Sequence, residues 1–91
     1  MADWEIKINK TAKKYLDKME SRKRENLLLQ IQELRNWVEN KDQSILDIRA
    51  LKGQWQGKFR LRGGGIRTIF EIITLEKQIR ILYIGPRGNI Y

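Results

Sequence analysis

The chain has neither cysteine nor histidine among its 91 residues. Without cysteine it forms no disulfide and offers no thiolate to a metal, which suits a reducing compartment. Without histidine it lacks the commonest metal ligand and the commonest general base. Catalysis by this chain therefore has to use carboxylate, lysine, arginine, tyrosine or backbone groups. Long apolar runs are missing as well. The start, MADWEIKINK, has no apolar stretch of signal-peptide length, and nothing later approaches a membrane span. The expected location is the cytoplasm. At this length the expectation is one domain, 1–91, that buries about 60–65% of its unfolded surface.

Acidic residues are scarce in one half only. The net charge is +8, and residues 1–50 carry eleven Lys or Arg against nine acids. Residues 51–91 carry Lys52, Lys58, Arg60, Arg62, Arg67, Lys77, Arg80 and Arg87 against only Glu71 and Glu76. A helical surface that serves solubility mixes signs, as the first half does. A segment with so few compensating acids repels itself, and phosphate is its usual partner.

Hydrophobic periodicity divides the chain into two styles. Trp4, Ile6 and Ile8 alternate with Glu5 and Lys7, as in a half-buried strand. Asn9 or Thr11 can cap a short helix with a stripe of Ala12, Tyr15, Leu16 and Met19. A longer helix is predicted from about Ser21 to Asn40, with Leu27, Ile31, Leu34 and Val38 on one side. Two helices joined by so few residues should pack as an antiparallel hairpin. Residues 41–53 read as a loosely packed connector. From Trp55 the period becomes two, with Trp55, Phe59 and Leu61 opposed to Lys58, Arg60 and Arg62. Gly63-Gly64-Gly65 predicts a turn. Strands from Ile66 to Ile73 and from Gln78 to Ile84 complete an antiparallel meander. The expected fold is α+β: an N-terminal strand, a two-helix hairpin, then a meander, forming a small twisted four-stranded sheet.

In that arrangement Lys58, Arg60 and Arg62 share one face of a strand over about 13–14 Å. Arg67 lies across the glycine turn, and Arg87 follows the last strand. Such a patch can track a phosphate backbone, and Tyr83 and Tyr91 are candidates to stack on bases. Lys52, Arg62 and Arg80 are further candidates for RNA contacts. Alternation alone is equally consistent with the wet side of a half-exposed sheet. Two features favour a binding face: no acid lies among the three strand residues, and two further arginines come from other segments. Lysine and arginine can neutralise charge on a phosphorane, and lysine or tyrosine can move protons, so RNA cleavage is feasible without histidine.

Four segments taken in order resemble the RelE/ParE toxin superfamily. They are Leu51-Lys52-Gly53, Trp55-Gln56-Gly57-Lys58-Phe59-Arg60-Leu61-Arg62, Gly65-Ile66-Arg67-Thr68-Ile69-Phe70 and Ile84-Gly85-Pro86-Arg87-Gly88-Asn89-Ile90-Tyr91. The resemblance implies a RelE-like fold and a toxin that cuts messenger RNA in the ribosomal A site, leaving a 2′,3′-cyclic phosphate. It implies Lys58 as base or charge stabiliser, Arg60 as a phosphate contact, Arg67 as the arginine that stabilises the transition state, Arg87 as the catalytic arginine of the late glycine-containing turn, and Tyr91 as a proton-transfer or stacking group. It also implies a cognate antitoxin, acidic at least locally, whose amphipathic segment is expected to bury part of the basic face or to displace the carboxy-terminal strand region. Ribosome and mRNA are the other expected partners, with DNA reached only through the antitoxin complex. No metal or organic cofactor is expected. Two alternatives stay open at this point: the ParE-like branch that poisons DNA gyrase, and an inactive RNA-binding relative.

Overall fold

A computed structural model describes residues 4–40 and 46–86. Along the chain come β1 (Glu5–Ile8), α1 (Lys10–Lys18), α2 (Ser21–Glu39), β2 (Asp47–Ala50), β3 (Lys58–Gly63), β4 (Ile66–Ile73) and β5 (Gln78–Pro86). One sheet has the order β1-β5-β4-β3-β2. The pairs β2–β3, β3–β4 and β4–β5 are antiparallel, and β1 is parallel to β5. The α+β class and the three-strand meander are those the sequence implies, and the N-terminal strand does pair onto the edge of the meander.

Among the described residues the sheet has five strands, which corrects the expected four. Part of the expected connector, Asp47–Ala50, is an edge strand on β3, with Ile48 opposite Leu61 and Ala50 opposite Phe59. The outer N–H and C=O groups of β3 require partners, and this segment supplies them. Strand β3 also starts later than its apolar period implies. Trp55 belongs to a 3₁₀ turn, Gly53–Trp55, rather than to the strand.

Local chemistry explains where the helices begin and end. Asn9 caps α1, its side-chain oxygen accepting from the Ala12 N–H at 2.9 Å. The same amide donates from Nδ2 to the Leu82 carbonyl at 2.9 Å. Leu82 is the extra residue of a bulge in β5, because Ile69 pairs with Tyr83 and Phe70 with Ile81. One asparagine thus satisfies a helix end and a carbonyl of the bulge. Met19 and Glu20 link the helices in extended backbone, and Asn40 is the cap residue just past the end of α2. Between β3 and β4 the loop is Gly64-Gly65, with φ of +60° and +78°. Positive φ at both central positions matches the right-handed twist of a tight hairpin, and glycine adopts it at little steric cost.

The core lies between the helices and one face of the sheet. Ala12 and Leu16 of α1 and Leu27, Ile31 and Leu34 of α2 meet Leu61, Phe70, Ile79, Ile81 and Ile84. Trp37 stands edge-on to Phe59 and Phe70 with ring centroids 5.6 and 6.1 Å away, and the two phenylalanines stack at 5.5 Å. No described helix is long and apolar enough to cross a membrane.

Candidate nucleic-acid interface

Strand pairing fixes what the face away from the helices carries, since paired residues project to the same side. Nearest the hairpin tip, Asp47, Arg62, Arg67 and Gly85 form a row across four strands. The next row is Arg49, Arg60, Ile69 and Tyr83. Beyond it lie Lys58, Glu71, Arg80 and Lys7. The structure therefore brings Lys58, Arg60, Arg62, Arg67, Arg80 and Tyr83 onto one face. Lys52 lies outside these rows, exposed in the segment just before the 3₁₀ turn. Arg87 and Tyr91 lie outside the described residues.

The centre of this face is drier than alternation implies. Ile69 is fully buried although it lies outside the helix-side core, and its register neighbours are Arg60 and Tyr83. Arg60 itself is only 7% exposed. An arginine stem can cover apolar surface while its head keeps polar company. The Tyr83 side chain lies over Gly85, where an added Cβ would meet the hydroxyl oxygen and two ring carbons at 2.6–2.8 Å.

The expectation that no acid lies among the strand basics needs correction in three dimensions. Asp47 accepts from Arg60 Nη2 at 3.2 Å and from Arg62 Nε at 2.9 Å. Glu71 lies 3.9 Å from Lys58 Nζ. Arg80 bonds to Gln78 at 3.1 Å and Glu76 at 3.4 Å. Asp47 and Glu71 come from the strands on either side and are invisible to a reading along β3 alone. The cations still exceed the acids, and Arg62 faces Arg67 directly across the hairpin. Like charges in that position repel unless an anion lies near. A depression there is lined by Arg62, Gly64, Gly65 and Arg67. Among the described residues, no three acidic side chains gather as metal ligands.

Sequence reasoning missed Asp47 and Arg49, both on β2. The available signal was the short alternation of Leu46 and Ile48 with Asp47 and Arg49.

No family model and no curated protein matches the chain. Solved structures do. The chain is similar to an archaeal RelE in the RelE–RelB complex from Pyrococcus horikoshii OT3, at 26% identity and a TM-score of 0.76. That match covers 98% of this chain and 99% of the other. It is similar to the RelB–RelE antitoxin–toxin complex from Methanococcus jannaschii at 26% identity and a TM-score of 0.68, over 89% of each chain. The isolated E. coli RelE toxin shares the fold at 17% identity and a TM-score of 0.67, over 94% of this chain and 86% of the other.

Proposed function

From the premise that this chain belongs by structure to the RelE toxin superfamily, we propose that it is the toxin of a type II toxin–antitoxin pair and an mRNA endoribonuclease that works in the ribosomal A site. The observation that carries this reading is the row structure of the open face, which sets Lys58, Arg60, Arg62 and Arg67 on adjacent, mutually braced strands.

Cleavage proceeds by attack of the ribose 2′-oxygen on the adjacent phosphorus. The P–O5′ bond breaks, giving a 2′,3′-cyclic phosphate and a free 5′-hydroxyl. Lys58 accepts the 2′ proton or neutralises the charge that develops. Arg67, beside the depression at the hairpin tip, meets the equatorial oxygens of the phosphorane. Arg60 and Arg62 hold the backbone, since arginine is a fixed cation and a fork of donors rather than a base. Tyr83 presents a ring on which a base stacks. Arg87 is assigned to the catalytic set as the arginine of the late glycine-containing turn, and Tyr91 to proton transfer, as the resemblance implies. The ribosome supplies in-line alignment, so modest proton-transfer groups suffice.

The partner is a locally acidic antitoxin. RelE proteins of two of the similar structures are in complex with RelB, and a cationic face of this kind fits an acidic amphipathic segment.

In vitro translation of a defined mRNA, with and without ribosomes, tests the activity. New 5′ ends inside A-site codons, present only with ribosomes, are the expected result. Intact mRNA in the presence of folded protein overturns it, and a gyrase cleavage-complex assay then tests the ParE-like alternative.

A further inference from the structure

Asp47 is absent from the basic set used above, yet it touches two of its members. Each carboxylate oxygen serves a different arginine: Oδ1 lies 3.2 Å from Arg60 Nη2, and Oδ2 lies 2.9 Å from both Nε and Nη2 of Arg62. We propose that Asp47 is a positioning residue that clamps the guanidinium groups of Arg60 and Arg62, so that both meet the RNA backbone already oriented. The proposal rests on the reading of this face as the RNA site.

Three observations carry it. The Arg60 side chain is 8% exposed, and its buried Nε has no hydrogen-bond partner among the described residues. A buried guanidinium that lost its counter-charge would be costly to keep in place and would turn away. Arg60 also faces Arg49, and Arg62 faces Arg67, as direct cross-strand neighbours. Four arginines in adjoining rows repel one another, and Asp47 stands at the corner of the group, bonded to two of them. Finally, β2 is already joined to β3 by four register pairs from Asp47–Arg62 to Ala50–Phe59. The carboxylate is therefore not needed to attach the strand, and its effect falls on the arginines.

Charge alone predicts the opposite outcome from positioning. Asp47 removes one positive charge from a face that binds a polyanion, so a purely electrostatic role would make its loss tighten binding and spare the rate. A clamp predicts that the rate falls although the face becomes more positive.

The test uses D47A, D47N and D47E in the full chain. It measures single-turnover cleavage on programmed ribosomes, and the Arg60 and Arg62 Nε–H signals by NMR in the free protein. In D47A the cleavage rate constant should fall about 10²-fold, as expected when misaligned backbone contacts let the scissile phosphate shift from its in-line position. The half-saturating concentration should stay the same or decrease. D47E should restore most of the rate, and the two Nε–H signals should broaden in D47A and not in D47E. Should D47A fail to fold, the near-isosteric D47N gives the same reading. An unchanged rate, parallel loss of rate and affinity in a folded variant, or unmoved Nε–H signals would each overturn the proposal. If the wild-type protein does not cut on ribosomes, the endoribonuclease reading fails instead. The NMR arm then decides alone: arginines freed in D47A on an unchanged backbone sustain the clamp, and arginines that stay fixed overturn it.

Discussion

Two adjacent rows of the same sheet can be compared residue by residue. Leu61, Thr68 and Ile84 face the helices, and Arg60, Ile69 and Tyr83 face away. The first row is at most 1% exposed, yet in the second Ile69 is as dry and Arg60 is 7% exposed. Burial therefore does not distinguish the faces at their centres. What differs is the closing chemistry. One side is sealed by apolar side chains from two helices, the other by long cationic and aromatic side chains lying across their neighbours. A site of the second kind is ordered before any ligand arrives, which a set of freely solvated lysines would not be.

The largest expected effect comes from breaking the helix side alone. Phe70 is fully buried, stacked on Phe59 and edge-on to Trp37. Phe70→Ala should destabilise the fold by about 3–5 kcal/mol, read as a fall in the denaturant midpoint. A loss below about 1 kcal/mol would mean that the aromatic cluster is not the core it looks like.

Breaking the open side alone is the complementary experiment. Arg67→Ala should lower ribosome-dependent cleavage about 10²–10³-fold, the usual cost of removing a preorganised donor. Circular dichroism should still show a folded chain. Retained growth inhibition by a folded Arg67→Ala would separate the face from the activity.

Gly85→Ala sharpens the comparison further, because it alters the open face through a single methyl group. The new Cβ would meet the Tyr83 ring, whose far end can move, so the fold should survive while the ring is displaced. If that ring is a stacking platform, Gly85→Ala and Tyr83→Ala should each weaken RNA binding by about 1–3 kcal/mol. The double variant should lose no more than either single one. Full additivity would show that the two residues act separately.

How much of this was legible in the sequence depends on whether the signal was local. Asn9 as a cap, Asn40 as a terminus and the glycine hairpin are each decided by a few neighbouring residues, and each stands as expected. Strand β2 was barely legible, because its four residues contain one large apolar side chain, Ile48, and only Leu46 before it extends the period-two signal. Its consequences were hidden with it. Asp47 reaches Arg60 and Arg62 across thirteen and fifteen residues of chain. The basic set on β3 was visible as alternation, but its counter-charges come from other strands. The bulge at Leu82 leaves a trace, since Ile79, Ile81 and Ile84 are spaced by two and then by three. That trace acquires meaning only once the face is known.

The smallest effect should come from the register pair next to the aromatic one. Phe59 faces Phe70, and one step along the same two strands Lys58 faces Glu71 on the opposite side. The charged pair is long, at 3.9 Å, and its side chains are 31% and 25% exposed. Partly solvated pairs of this kind contribute about 0–1 kcal/mol, so Glu71→Gln should leave stability nearly unchanged where Phe70→Ala removes several kcal/mol. Its effect should appear instead in RNA binding. A Lys58 released from Glu71 can neutralise one more phosphate, which would steepen the salt dependence of single-strand binding by a slope of about 0.7. An unchanged slope would mean that Lys58 does not touch the backbone and acts on the reacting ribose alone. A loss of stability comparable to that of Phe70→Ala would mean that the open face, too, is built chiefly to hold the sheet together.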